Sequence, residues 1–137
     1  MGFEQFGIIS FTATTKTEKF IEFLSNNEIR GTVCSDCGAK FFPPRSDCSA
    51  CFSNKMEWFP ISGEGSLVSF TKAMFAPAGF EKDVPYTLGV AEFADGVKVF
   101  ARISNAVPED KVAAGMKVTV RSVDLGEGRL SFEFISA

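Results

Sequence analysis

From Gly63 onward, hydrophobic and polar positions alternate with a sustained period near two. Before Gly63 the alternation is not sustained, and the two halves of the chain therefore predict different structures. In the second half five segments read as strands: 65–75, 86–94, 97–103, 116–125 and 129–135. In the first of them Leu67, Ser69 and Thr71 are expected on one face, with Val68 and Phe70 on the other. Asp95 and Gly96 join the second and third segments as a two-residue hairpin signal, because both tolerate the left-handed backbone such a turn requires. Gly126, Glu127 and Gly128 join the last two. Between the third and fourth, Pro108 followed by Glu109 and Asp110 opens like a short helix, and Gly115 can end it. Five strands with a short helix or turn after the third predict an OB-fold barrel. Closure also removes the exposed edges that strands this apolar would otherwise present.

The first half is punctuated differently. Residues 3–13 are β-branched and aromatic and predict a short strand or extended arm, which packs on its own domain or crosses to another subunit. Thr15 and Glu18 have the spacing of a capping box, with Thr17 an alternative N-cap. A helix over 17–26 is expected, with Phe20, Ile21, Phe23 and Leu24 on one face and Asn26–Asn27 as its end. Four large apolar groups on barely three turns require cover, from this chain or from a partner. Residues 29–33 predict a strand. Phe41, Phe42, Pro43 and Pro44 make a stiff extended crossing, since each proline fixes φ and lacks an N–H. In that crossing Phe41 or Phe42 is expected to cover the cysteine sulfurs and pack on the neighbouring module, or the crossing, with Arg45 at its end, serves as a docking edge. Trp58 is expected at the joint of the two halves. The predicted architecture is mainly β. Residues 1–28 form an arm and helix, 29–60 a four-cysteine ribbon, and 61–137 the barrel.

The chemistry lies in the first half. Cys34, Cys37, Cys48 and Cys51 are the only cysteines, in two C-x-x-C pairs separated by ten residues. Two residues between thiolates let one tight turn aim both sulfurs at a point. Two such turns make a tetrahedral cage suited to zinc. Gly38, directly after Cys37, suits a turn that leaves with positive φ. Iron could use the same four thiolates. Two disulfides fit less well, because no secretion signal is recognised and a cytoplasmic location is expected. Metal binding here would also be folding energy, because the stretch between the pairs is too short for a core of its own.

Composition narrows the function. Hydrophobic residues are 45 % and charged residues 23 % of the chain, which places it among globular proteins. The net charge of −3 argues against non-specific nucleic-acid binding, which needs a basic surface. No apolar run approaches the ~18 residues of a membrane-spanning helix. The chain has no histidine, and its cysteines are assigned to the metal. The commonest general base and the commonest thiol nucleophile are thus missing. A four-thiolate zinc keeps no open position for water. Sixteen phenylalanines against one tryptophan and one tyrosine exceed what a small core needs, so some are expected to face a partner or an acyl group.

The combination of Cys34–Cys37–Gly38, Phe42–Pro43–Pro44–Arg45, Cys48–Cys51, the Ser62–Gly65 turn with Ser69–Thr71, Pro85–Tyr86, Phe100–Ile103 and Gly115–Met116 resembles a known family. Its members join a helical segment, a rubredoxin-like zinc ribbon and a C-terminal OB-fold. The resemblance covers residues 17–137. It implies an accessory subunit of thiolase-type or related enzymes acting on acyl-CoA thioesters, with the partner supplying the catalytic groups. Structural zinc is implied as the resident metal, with CoA bound at the complex interface. If CoA touches this chain, Lys72, Lys82 and Arg102 are candidates for its phosphates, and Phe75 and Phe80 for its acyl end. Phe20, Phe23, Leu24, Phe42, Pro43, Pro44 and Arg45 are candidates for the partner interface. Two other classes remain at this point. One is a single-stranded nucleic-acid binder using Lys98, Arg102, Lys117 and Arg121. The other is an iron-containing electron carrier.

Overall fold

The computed structural model describes residues 16–126 and 128–137. The predicted arm and Thr15 lie outside these residues. The described chain begins with one helix, α1 (Lys19–Ser25). A three-stranded sheet follows, made of β1 (Arg30–Cys34), β2 (Lys40–Phe41) and β3 (Met56–Pro60). It is antiparallel, in the order β2-β1-β3. The second half forms β4 (Gly65–Ala73), β5 (Tyr86–Glu92), β6 (Lys98–Ile103), β7 (Lys117–Gly126) and β8 (Arg129–Ser136). They close into a barrel in the order β4-β5-β6-β8-β7, with β6 and β8 the one parallel pair. This is the OB-fold order expected from the period-two pattern. A single helical turn, Glu109–Lys111, sits between β6 and β7.

The β5–β6 turn forms for the expected reason. Asp95 and Gly96 have φ of 63° and 75°, and the Val97 N–H donates to the Ala94 carbonyl. The face assignment on β4 is corrected. Leu67 pairs with Ala91 and Ser69 with Val90, so one extra residue, Val68, is bulged out of the ladder. Past the bulge the faces exchange. Phe70 and Lys72 stand opposite Gly89 and Thr87, on the side that Leu67 occupied, and Ser69 and Thr71 move to the other.

The start of α1 is also corrected. Glu18, not Thr17, occupies the N-cap position, and it makes no side-chain capping bond. The end follows expectation. Asn27 has a φ of 58°, its N–H donates to the Leu24 carbonyl, and the Glu28 N–H donates to the Phe23 carbonyl. These two bonds satisfy carbonyls that the last turn leaves free. The Asn27 side-chain oxygen then accepts from Ser122 N–H and Oγ on β7, both at 3.1 Å. The cap thereby ties the helix to the barrel.

The apolar face of α1 is covered by the chain itself. Phe20, Ile21 and Leu24 are buried in one cluster with Ile61, Leu67, Val99, Val118 and Phe134 of the barrel segment. Phe20 meets Phe42 and Phe132 edge to face, at 5.9 and 6.0 Å between ring centres, and Phe42 meets Phe132 at 5.2 Å. Phe42 therefore joins the ribbon to β8 rather than covering the sulfurs. Phe23 packs on Trp58 at 5.1 Å, with the Arg30 guanidinium 4.6 Å from its ring. Trp58 thus sits at the joint, half-buried. Phe20 and Leu24, expected at a partner interface, are each only 1 % exposed, because barrel and ribbon supply the cover that the short helix needs.

Candidate functional site

The four cysteines converge. All four sulfurs lie within 4.8 Å of one another, with Cys34–Cys51 at 3.6 Å and Cys37–Cys48 at 3.5 Å. A zinc ion with bonds of about 2.3 Å to four sulfurs needs them roughly 3.8 Å apart. The cage fits that ion with small adjustments. Two turns with the same hydrogen bonding build it. The Gly38 N–H donates to the Cys34 carbonyl and the Cys34 N–H to the Ala39 carbonyl. In the second turn the Phe52 N–H donates to the Cys48 carbonyl and the Cys48 N–H to the Ser53 carbonyl. Backbone N–H groups of Cys37, Ala50 and Cys51 also point at the sulfurs of Cys34 and Cys48, at 3.3 to 3.5 Å.

These N–H groups divide the thiols into two kinds. The Cys37 N–H, the largest influence, holds the Cys34 thiol down at about 7 against the opposing effect of burial. The Cys51 N–H does the same for Cys48, whose thiol is also lowered. At Cys51 the Ser53 N–H pulls downward. The hydrogen bond with Cys34, burial and the two remaining thiols outweigh it and push Cys51 up to about 12. At Cys37 the Ala39 N–H likewise pulls downward, but the Cys48 contact and burial prevail and raise it. The first cysteine of each pair is thus ready to ligate, and a divalent ion must displace protons from the second. Closed by four thiolates, such a site supplies structure and offers no position to substrate.

The candidates for acyl-CoA contact divide between two hollows. Phe80 and Arg102 line one of about 270 Å³ on the barrel wall, with Tyr86, Leu88, Phe100 and Phe132. Lys72 lines another of about 240 Å³, with Tyr86, Ser104, Asn105 and Glu109, and its ammonium lies 2.8 Å from Glu109. Tyr86 borders both. Phe75 is 89 % exposed and lines neither, and Lys82 is exposed on the same loop. Among the interface candidates, Pro43 and Arg45 are exposed and Pro44 is half-buried. The Arg45 guanidinium stacks 5.2 Å from the Phe41 ring, and its backbone N–H donates to Thr32 Oγ1 at 2.8 Å.

Sequence reasoning did not single out Asp83. It lies in the long loop between β4 and β5, where a carboxylate looks like ordinary solvated surface. In the structure its side chain is 10 % exposed, and its two oxygens accept from Arg129 at 3.0 and 3.3 Å. Arg102 approaches the same carboxylate at 3.5 Å and lies 4.8 Å from the Tyr86 ring. The Arg129 side chain, followed by Arg102, holds the Asp83 carboxyl below its ordinary range despite burial. This pairing pins the loop beside the hollow. No local signal in the sequence links positions 83, 102 and 129.

No helix among the described residues is long and apolar enough to cross a membrane. The model described as the ChsH2 rubredoxin-like zinc ribbon domain matches residues 22–57, and that of the ChsH2 C-terminal OB-fold domain matches 58–123. A DUF35 domain-containing scaffold protein of Methanocaldococcus jannaschii is 34 % identical over 64 % of this chain and 62 % of its own length. One from Pyrococcus furiosus is 32 % identical over 70 % and 69 %. The benzoylsuccinyl-CoA thiolase subunit BbsA of Thauera aromatica is 28 % identical over 69 % and 65 %. The chain thus spans about two thirds of the length of these relatives. A chain from the structure described as the Ltp2-ChsH2(DUF35) aldolase superposes with a TM-score of 0.74 over 92 % of this chain and 98 % of its own. At 20 % identity, that likeness is one of fold. The two domain matches in tandem, over a closed four-cysteine cage and a five-stranded barrel, place this chain in the DUF35 family of zinc-ribbon and OB-fold proteins.

Proposed function

We propose that this protein is a non-catalytic accessory subunit of a thiolase-type enzyme acting on acyl-CoA thioesters. The observation that carries the proposal is the likeness to BbsA, a benzoylsuccinyl-CoA thiolase subunit, together with the likeness to the scaffold proteins. The chemistry of the chain is consistent with that role. It has no histidine, and its four cysteines meet in one cage. The partner would contribute the nucleophile and the bases. This chain would contribute a rigid surface, with the hollow lined by Phe80, Tyr86 and Phe100 offered to an apolar acyl or pantetheine segment. Pro43, Pro44 and Arg45 remain candidates for the contact with the partner.

The nucleic-acid alternative has less to support it. Arg102 is paired with Asp83, and Arg121 lies 2.9 Å from Glu133. The Lys117 ammonium donates to Ser66 Oγ at 3.0 Å. Three of the four cations considered for a phosphate groove thus have partners within the chain.

The deciding experiment is co-expression of the full chain with a thiolase-fold protein, followed by affinity purification and an acyl-CoA cleavage assay. A stable complex that turns over a thioester, while neither chain does so alone, is expected. Turnover by this chain alone, or no affinity for any thiolase-fold protein, would overturn the proposal.

A further inference from the structure

Val68, Phe70, Met74 and Phe75 all lie on β4 or just past its end, at 48, 45, 61 and 89 % exposure. The edge of this strand is partly open. β4 pairs with β5 from Ser66 to Ala73 but with β7 only at Gly65 and Ser66. Leu67 adds two last bonds, accepting from the Gly115 N–H and donating to the Met116 carbonyl. Over residues 68–73, the side of β4 that faces away from β5 pairs with no described residue. An open edge flanked by apolar side chains is a template for another strand. Lysine is the usual guard of such an edge. Here the Lys72 ammonium lies 2.8 Å from Glu109, in a solvent-exposed pair that draws it along its own chain.

We propose that this edge pairs with the same edge of a second copy of the chain, antiparallel, about a two-fold axis through Phe70. This inference is independent of the proposed enzyme partner. What favours a second copy over a foreign strand is the match that β4 makes with itself. In that register Phe70 faces Phe70 and Ser69 faces Thr71 on either side of it. Aromatic pairs and hydroxyl pairs are favoured across antiparallel strands. The two Lys72 residues are offset by four positions, roughly 13 Å at ~3.3 Å per residue, which exceeds the Debye length of about 8 Å in physiological salt. The contact closes on itself, so it yields a dimer rather than a fibre. In that register Met74 and Phe75 come opposite Ser66 and Gly65, whose outer edge β7 already holds, so they pack only at the rim and the interface is small. It is at the low end for specific interfaces, so the dimer forms reversibly with concentration.

The test is sedimentation velocity of the full, zinc-loaded chain over a hundredfold range of concentration. Phe70→Glu and Phe70→Lys are measured separately and mixed one to one. Thermal unfolding and zinc content verify that each variant is folded, and Phe75→Glu serves as a second probe should position 70 prove intolerant. Wild type should shift from monomer to dimer. Each charged variant should remain monomeric, because like charges then meet at the axis. The mixture should dimerise again, because opposite charges meet there. A wild-type chain that stays monomeric throughout overturns the proposal, as does a dimer that survives both charges. Loss of dimer without recovery on mixing overturns the register about Phe70. A monomer whose Phe70→Glu variant loses a thiolase-fold partner instead assigns the edge to that partner and also overturns it.

Discussion

Gly38 and Phe52 adopt the same left-handed backbone, at φ of 78° and 63°, each one residue past the second cysteine of its pair. The turn demands that conformation, because only then can the next N–H groups and carbonyls return to the first cysteine. Glycine meets the demand without strain, and nothing lies within 4 Å of where a Gly38 side chain would begin. Phenylalanine meets it at a cost of roughly 1–2 kcal/mol, and its ring is 85 % exposed. Gly38→Ala should therefore lower ribbon stability by about 1 kcal/mol through backbone strain alone. Phe52→Gly should raise it by about 0.5–1 kcal/mol. Thermal unfolding of the zinc-loaded protein measures both, and changes of the same sign would show that the two turns are not equivalent.

Cys34→Ser removes one of the four sulfurs of the cage. The expected result is loss of bound zinc and unfolding of the β1–β3 sheet, because the metal supplies folding energy that the short ribbon lacks. Metal content by mass spectrometry and near-ultraviolet circular dichroism should change together. A variant that retained metal and fold yet abolished turnover of the complex would instead mark Cys34 as a participant in the reaction.

Phe20 and Phe80 should respond in opposite ways. Phe20 is buried between Phe42 and Phe132. Phe20→Ala should cost about 3–5 kcal/mol in the isolated chain. A helix held only by a partner would show no such loss, and chemical denaturation separates the cases. Phe80 lines the hollow on the barrel wall and is only half-buried. Phe80→Ala should leave the midpoint of unfolding nearly unchanged and weaken thioester turnover of the complex several-fold. Unchanged turnover removes Phe80 from the acyl path.

The Asp83–Arg129 pair predicts a pH dependence of known sign. The folded carboxyl is held below its ordinary value of 3.8, chiefly by Arg129. A carboxyl depressed by folding contributes stability that is fully present above its unfolded pKa and lost as the pH falls through the folded one. Asp83→Asn should therefore destabilise the protein at neutral pH by about 3 kcal/mol, since it removes the carboxylate charge that a buried guanidinium contacts at 3.0 Å. The difference from wild type should shrink only below the ordinary carboxylate range. Urea unfolding at a series of pH values tests this, and a constant difference down to strongly acid pH would show that the charge of Asp83 does not matter.

The cysteine spacing, the period-two segments and the Asp95–Gly96 turn were legible in the sequence because each is written within a few neighbouring residues. A C-x-x-C turn, an alternating strand and a left-handed hairpin are local solutions to local constraints, and together they predicted both the ribbon and the barrel. The end of α1 at Asn26–Asn27 was legible for the same reason. What required the tertiary structure was everything set by contacts between distant segments. The cover for Phe20 comes from Phe42 and Phe132, which no helical periodicity can locate. The bulge at Val68 depends on how β5 registers against β4, and it reverses every face assignment after it. Asp83 became a buried ion-pair member only when β6 and β8 brought Arg102 and Arg129 beside one loop. Local chemistry thus determined which elements form, and long-range packing decided which of their faces remain available to a partner.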